Sequence, residues 1–234
     1  MTIRYIKEIN KPTDIDIVIP AAGLGKRMKS YGAKPLIKIR GDTSIIDNQI
    51  RILKKFLPNS NIIIVCGFDA DNLMNKTDEN IVKIENENYV GTNVVRSIGM
   101  GLRATKRDVL IVYGDLIFNE KCIEEMNFNK SSLLAGKGIM SEGEVGCTFN
   151  KKGQLEHMMY DLEYRWGQMV FLKGNELKIF KKICYDRDNQ NMFGFEAINK
   201  TMSQGGVFHY SGHDKARVID IDSSKDLERV SEVI

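Results

Sequence analysis

The 234-residue chain suits one large domain with a sizeable core, and 42% hydrophobic and 28% charged residues with only four prolines exclude a disordered or fibrous protein. Net charge is +3 from 34 basic and 31 acidic residues, too small and too scattered for nucleic-acid binding by bulk electrostatics, so any anion site must be local. The cysteines, Cys66, Cys122, Cys147 and Cys184, form no CxxC pair, which argues against a zinc ribbon or disulfide scaffold and reads as reduced thiols. The charged N-terminus has no signal-peptide core and no later apolar run approaches membrane-spanning length; a cytoplasmic protein without membrane attachment is expected.

Residues 15–19, Ile-Asp-Ile-Val-Ile, read as a buried strand ended by Pro20. Apolar groups at Ile45, Ile46, Ile50, Leu53 and Phe56 recur at three- and four-residue spacing and predict an amphipathic helix. Residues 62–66 predict a second strand and 81–84 a weaker third. Val94, Val95, Ile98 and Leu102 mark one face of another helix, and 109–113 a fourth strand. Near-continuously apolar strands separated by helices predict an α/β fold with a doubly wound, mostly parallel sheet.

From about residue 131 the pattern changes to short strands at 133–134, 145–149 and 155–160 with a turn at 150–153, which predicts a small antiparallel region extending the same sheet. Helices are expected at 175–185 and 192–202 and a strand at 217–221. Ser223, with Asp226 three residues on, opens a last helix as in a capping box.

The stretch Ala-Ala-Gly-Leu-Gly-Lys-Arg-Met at 21–28 leaves the first strand directly. Ligands of open α/β sheets bind beyond the carboxyl ends of strands, where Gly23 and Gly25 free backbone N–H groups to face phosphate oxygens. Lys26, Arg27 and Lys34 add positive charge. No glycine stands at position 28 and no GxxxxGK is present, so neither a dinucleotide fingerprint nor a P-loop is supported, and the glycines alone would equally suit a tight turn. Asp115 follows the fourth strand and Asp222 the strand at 217–221. One or two carboxylates with phosphates and water are an ordinary ligand set for Mg²⁺. Acidic residues also end strands and cap helices, the role expected of Asp220 and Asp226.

AAGLGKRM, then KPLIKIRG at 34–41, Tyr-Gly-Asp at 113–115 and VIDIDSSKDLER at 218–229 together resemble the nucleotidylyltransferases, which join a nucleoside triphosphate to a sugar phosphate, phosphocholine or related molecule. Ser224 stands where that family usually has proline. The resemblance implies a Rossmann-like nucleotidyltransferase fold in one domain over 1–234, with a nucleotide-binding half (1–130), an acceptor-side region (131–215) and a final strand and helix (216–234). It further implies that the loop at Ala21, Ala22, Gly23, Gly25 and Lys26 binds the nucleotide, that Arg27 and Lys34 are catalytic, and that Asp115 and Asp222 hold Mg²⁺. Gly91, Thr92 and Asn93 would approach the base, although propensity alone makes Thr92 or Asn93 a helix N-cap.

Tyr160, Tyr164 and Trp166, with Asp161 and Glu163, form an aromatic and acidic cluster. As a cage it would suit an ammonium-bearing acceptor such as phosphocholine or an amino-phosphonate, and with it CTP. Core packing of the same rings is an equal reading. His209 and His213 stand four residues apart but without HExxH or a neighbouring cysteine pair, so they and His157 read as surface or packed histidines, and the methionines, Met140 among them, as gap fillers.

The expected chemistry needs no protein base, because an acceptor phosphate is largely dianionic near neutral pH, its second pKa being about 6. Its oxygen would attack the α-phosphorus and release pyrophosphate, while cations manage the charge. Lys34 is assigned to the reacting phosphates rather than to a solvated loop, and, as an exposed lysine, its loss is expected to cost about 0.5 kcal/mol of stability or less. The rival readings are a glycosyltransferase using a finished nucleotide-sugar and a non-catalytic nucleotide binder. A homo-oligomer stays open, and at this length the large C-terminal β-helix that some nucleotidylyltransferases carry, and with it an added acyltransferase activity, is not expected.

Overall fold

The computed structural model describes residues 14–25, 32–136, 143–212 and 214–234. Lys26, Arg27, Met28, Met140 and His213 lie outside the described residues. The first half contains β1 (Asp16–Ala21), a hairpin of β2 (Lys38–Arg40) and β3 (Thr43–Ser44), α1 (Ile45–Phe56), β4 (Asn61–Cys66), α2 (Ala70–Lys76), β5 (Val82–Glu85), α3 (Val94–Arg103) and β6 (Val109–Val112). The second adds β7 (Leu116–Phe118), α4 (Lys121–Glu124), β8 (Ser132–Gly136), β9 (Val145–Phe149), β10 (Leu155–Tyr160), β11 (Tyr164–Leu172), α5 (Gly174–Tyr185), α6 (Gly194–Ser203), β12 (His209–Ser211), β13 (Val218–Asp220) and α7 (Ser224–Glu228).

Strands β5, β4, β1 and β6 lie side by side and parallel. Their apolar runs are buried because helices cover both faces: Ile17 and Ile19 pack toward α1 and α2, while Val18 packs toward α3, α5 and α6. β1 does not stop before Pro20. Proline has no N–H to give, but Pro20 stays in register with Val65 and its carbonyl accepts from Gly114 N at 3.1 Å, so the strand reaches Ala21. Asp16, buried at the start of β1, is satisfied by Asn61 Nδ2 at 2.9 Å and by the N–H groups of Lys106 and Arg107 at 2.7 and 3.1 Å.

The second half extends this sheet through a strand absent from the sequence reading. β11 runs antiparallel to β6 along its C-terminal half and to β9 along its N-terminal half; β8 pairs along its other edge, and β12 lies parallel to β8. Arg165, Gly167 and Gln168 interrupt the N-terminal half of β11, so only the four apolar residues 169–172 carry a strand signal. The expected strand at 217–221 exists as β13, but it pairs antiparallel with β7 in a separate two-stranded sheet. Ile37, Ile45, Ile117, Ile219, Ile221, Val230 and Val233 form the core beneath that pair. All four cysteines are free and buried, and burial raises the thiols of Cys66 to about 11 and of Cys122 and Cys147 to about 12. Among the described residues no helix is long and apolar enough to cross a membrane.

Candidate active site

The loops leaving β1 and β6 open side by side. Gly25 there has φ +52°, and a Cβ on it would lie 3.1 Å from Lys34 Cγ, so both backbone and neighbour require glycine. Gly23 is different: a Cβ would meet open space, and its backbone does not require glycine. Lys34 opens a 3₁₀ turn, Lys34–Leu36, in which Pro35 is buried. Its Nζ donates to Asp222 Oδ1 at 2.6 Å and to Asp115 Oδ2 at 3.1 Å. Its side chain is only 13% exposed, so this is no solvated loop lysine.

Each carboxylate is held from behind. Gln49, fully buried on α1, donates Nε2 to the carbonyls of Tyr113 and Leu116 at 2.9 and 2.8 Å, which fixes the turn carrying Asp115. The Asp115 carbonyl accepts from Ile221 N at 3.0 Å, tying that turn to the residue before Asp222. Asp226 Oδ2 accepts from the N–H groups of Asp222 and Ser223 at 3.0 and 2.7 Å and from Ser223 Oγ at 2.9 Å, the capping role expected of it.

Asp220 neither ends a strand idly nor caps a helix. It accepts from Arg165 Nη2 at 2.8 Å and Gln168 Nε2 at 3.0 Å, and Arg165 also binds Glu144 at 2.8 Å. Gln168 sits at an irregularity in the β11–β8 pairing with φ +53°, a left-handed conformation uncommon outside glycine. Burial would lower the Lys34 ammonium, but Asp115 and Asp222 outweigh it and the pKa is raised. Burial raises the Asp115 carboxyl despite Lys34, with Asp220 and Asp222 adding to the rise.

Two cavities meet here. The first, about 310 Å³, is lined by Ala21, Ala22, Gly23, Gly25, Lys34, Thr92, Asn93, Asp115 and Asp222, which brings together most residues singled out in the sequence. Gly91 is exposed and not in its wall. Asn93 does cap α3, its Oδ1 accepting from Val94 N at 2.7 Å, while also facing the cavity. The second, about 470 Å³, is lined by Tyr160, Trp166, Phe193, Phe195 and Glu144 among others.

Tyr164 is not with them. It packs edge-on against Phe149 and Tyr210, with ring centres 5.4 and 5.8 Å apart, beside a different cavity. Asp161 and Glu163 are exposed and outside the second cavity, whose carboxylates come from Glu144, Asp220, Asp222 and Asp226.

Tyr113, Gln168, Phe193, Asp220 and Asp222 line both cavities, and the first four were not read from the sequence as site residues. Only the adjacency of Tyr113 to Gly114 and Asp115 pointed toward any of them. Gly194, at the start of α6, lets Tyr113 in: a Cβ there would lie 1.9 Å from the Tyr113 hydroxyl oxygen.

Residues 17–129 match the family model described as MobA-like NTP transferase domain. The bifunctional protein GlmU of Campylobacter hominis is 32% identical over 156 residues, covering 61% of this chain and 33% of that protein; the chain thus spans about a third of this curated relative's length. Among solved structures, the CTP:phosphocholine cytidylyltransferase LicC of Streptococcus pneumoniae superposes with a TM-score of 0.77 at 15% identity, covering 94% of this chain and 99% of that one. The inositol-1-phosphate CTP transferase of T. maritima gives 0.75 at 15% identity, covering 95% and 97%. The family match covers the strand, glycine loop, lysine and first aspartate around which the site is built, and the structural likeness spans almost the whole chain. Residues 17–129 therefore resemble a MobA-like NTP transferase domain, and the chain shares the fold of these two solved structures.

Proposed function

We propose that this protein transfers a nucleoside monophosphate from a nucleoside triphosphate to a phosphorylated small molecule and releases pyrophosphate. The observation that carries this is the Lys34 ammonium held between Asp115 and Asp222 where two cavities join. One cavity bears the glycine loop and receives the triphosphate; the other is aromatic and receives the acceptor. An oxygen of the acceptor phosphate attacks the α-phosphorus, and the bond to the β-phosphate oxygen breaks with its electron pair leaving on pyrophosphate. No proton transfer is required. Lys34 stabilises charge on the transferring group, in a wall where burial makes each fixed cation count for more than in water.

Asp115 and Asp222 fit a divalent ion, since the pair already brackets one cation and supplies the hard oxygen donors that Mg²⁺ takes alongside phosphates and water. Mg²⁺ held by them would neutralise phosphate charge. The backbone of Ala21, Ala22, Gly23 and Gly25 faces the phosphates, with Lys26 and Arg27 assigned there from the sequence alone, and Thr92 and Asn93 stand toward the base. Gly91 contributes only to the turn before them.

Tyr160, Trp166, Phe193 and Phe195 with Glu144 suit an acceptor bearing an ammonium group, which favours phosphocholine or an amino-phosphonate and, with them, CTP. The name of LicC, a CTP:phosphocholine cytidylyltransferase, is consistent with that choice. The test is pyrophosphate release from four nucleoside triphosphates against hexose 1-phosphates, phosphocholine and aminoethylphosphonate with Mg²⁺. Release with CTP and phosphocholine or the phosphonate is expected. Nucleotide binding without release from any pair would favour a binding protein, and sugar transfer from a nucleotide-sugar would favour a glycosyltransferase.

A further inference from the structure

Away from both cavities, Arg96, Arg103 and Arg187 line a third depression of about 360 Å³ with Ile84, Met100 and Tyr185. Arg96, Met100 and Arg103 fall at i, i+4 and i+7 on α3 and so form one stripe of that helix. Arg187 comes from the 3₁₀ turn after α5, and Ile84 from β5, the edge of the sheet. Among the described residues none of the three guanidiniums has a carboxylate partner or a hydrogen bond; Arg103 only lies over the Tyr185 ring, 5.0 Å from its centre. Of the other described arginines, Arg51, Arg107, Arg165, Arg217 and Arg229 are each bonded to a carboxylate or a carbonyl, and Arg40, in the β2–β3 hairpin, is not.

A protein with nearly balanced charge has acidic residues to spare for pairing, yet three rigid five-donor forks converge here unpaired. A solvated helix face explains Arg103 at the C-terminal turn of α3, where it also complements the helix dipole. It does not explain Arg187, brought in from a different element to the same concavity.

We propose that this depression is a second anion site, taking a small molecule with two or more phosphate charges whose apolar part rests on Ile84, Met100 and Tyr185. Guanidinium forks match phosphate oxygens in pairs, and one doubly charged phosphate compound can engage several of them at once. The concavity argues for a small molecule over a macromolecule, which would favour a flatter and wider basic surface. None of its lining residues belongs to the two cavities at Lys34.

The test is calorimetric titration of the full chain with inorganic pyrophosphate in the absence of divalent metal. Two sites per chain are expected for the parent, one at Lys34 and one here. The triple variant Arg96→Gln, Arg103→Gln, Arg187→Gln should keep the first and lose the second. Should the triple variant fail to fold, Arg103→Gln and Arg187→Gln singly should each weaken the second site roughly tenfold. Equal numbers of sites in the parent and a folded triple variant, or unchanged affinity in the single variants, would overturn the proposal. So would binding of an acidic polymer such as heparin through these arginines without binding of pyrophosphate. A single parent site that the triple variant loses would support the proposal and count against binding at Lys34.

Discussion

The first cavity draws one side of its wall from short segments that leave neighbouring parallel strands, so that Ala21 to Gly25, Lys34 and Asp115 reach one place because β1 and β6 are adjacent. It shares Gln168, Phe193, Asp220 and Asp222 with the second. The second is assembled from β11, β13 and α6, where Trp166, Asp220 and Phe193 are far apart in sequence and meet only through antiparallel pairing and helix packing. A wall made of consecutive residues survives as a motif. A wall made of single residues from many elements leaves none. Under the proposed function, the difference would separate the charge-handling part of the site from the part that selects the acceptor.

The sharpest break of that comparison lies at the junction. Lys34→Ala should lower turnover about a hundredfold to a thousandfold, measured as pyrophosphate release at saturating substrates. Because Lys34 is enclosed between two carboxylates, its loss should also lower the metal-free melting temperature by about 2–4 °C per kcal/mol of lost pairing. Mg²⁺ should then raise the variant's melting temperature more than the parent's, and an equal rise in both would show that the carboxylates are not the metal ligands. Asp115→Asn and Asp222→Asn should each lose turnover on the same scale while remaining folded by circular dichroism. Near-normal rates at limiting Mg²⁺ in either would remove that aspartate from the site.

A smaller effect separates the two cavities from each other. Tyr160→Ala and Phe195→Ala should each raise the acceptor KM roughly tenfold, the scale of one aromatic contact with a cation or ring, and leave the nucleotide KM unchanged. Tyr164→Ala should move neither, since its ring packs with Phe149 and Tyr210. A rise in nucleotide KM for Phe195→Ala would mean that the cavities are not separate in function.

The smallest expected effect is one of pH. Burial raises the Asp115 carboxyl above its ordinary 3.8. A raised folded pKa places the associated stability with the protonated form: it is complete below about pH 4 and is lost as pH rises through the folded value. Asp115→Asn cannot ionise, so in metal-free protein its melting temperature should gain on the parent's as pH rises above about 4. A difference moving in the parent's favour over that range would mean that Lys34 outweighs burial.

The parallel strands, the helices α1, α3, α5 and α6, the hairpin at 150–153 and the Ser223 cap were readable because apolar spacing and turn chemistry act over a few residues. So were Lys34, Asp115 and Asp222 as candidates, because they stand at strand ends. What the sequence could not supply was β11, whose apolar run is cut to four residues by Arg165, Gly167 and Gln168, and the separate pairing of β13 with β7. Tertiary structure alone decided that Lys34 is enclosed between the two aspartates, that Asp220 is bound by Arg165 and Gln168, and that Tyr164 lines a different cavity from Trp166 and Tyr160. The physical reason is range: propensity and periodicity speak for neighbours along the chain, whereas the enclosure of a charge depends on partners as far apart as Lys34 and Asp222, 188 residues along the chain, which the fold brings within 2.6 Å.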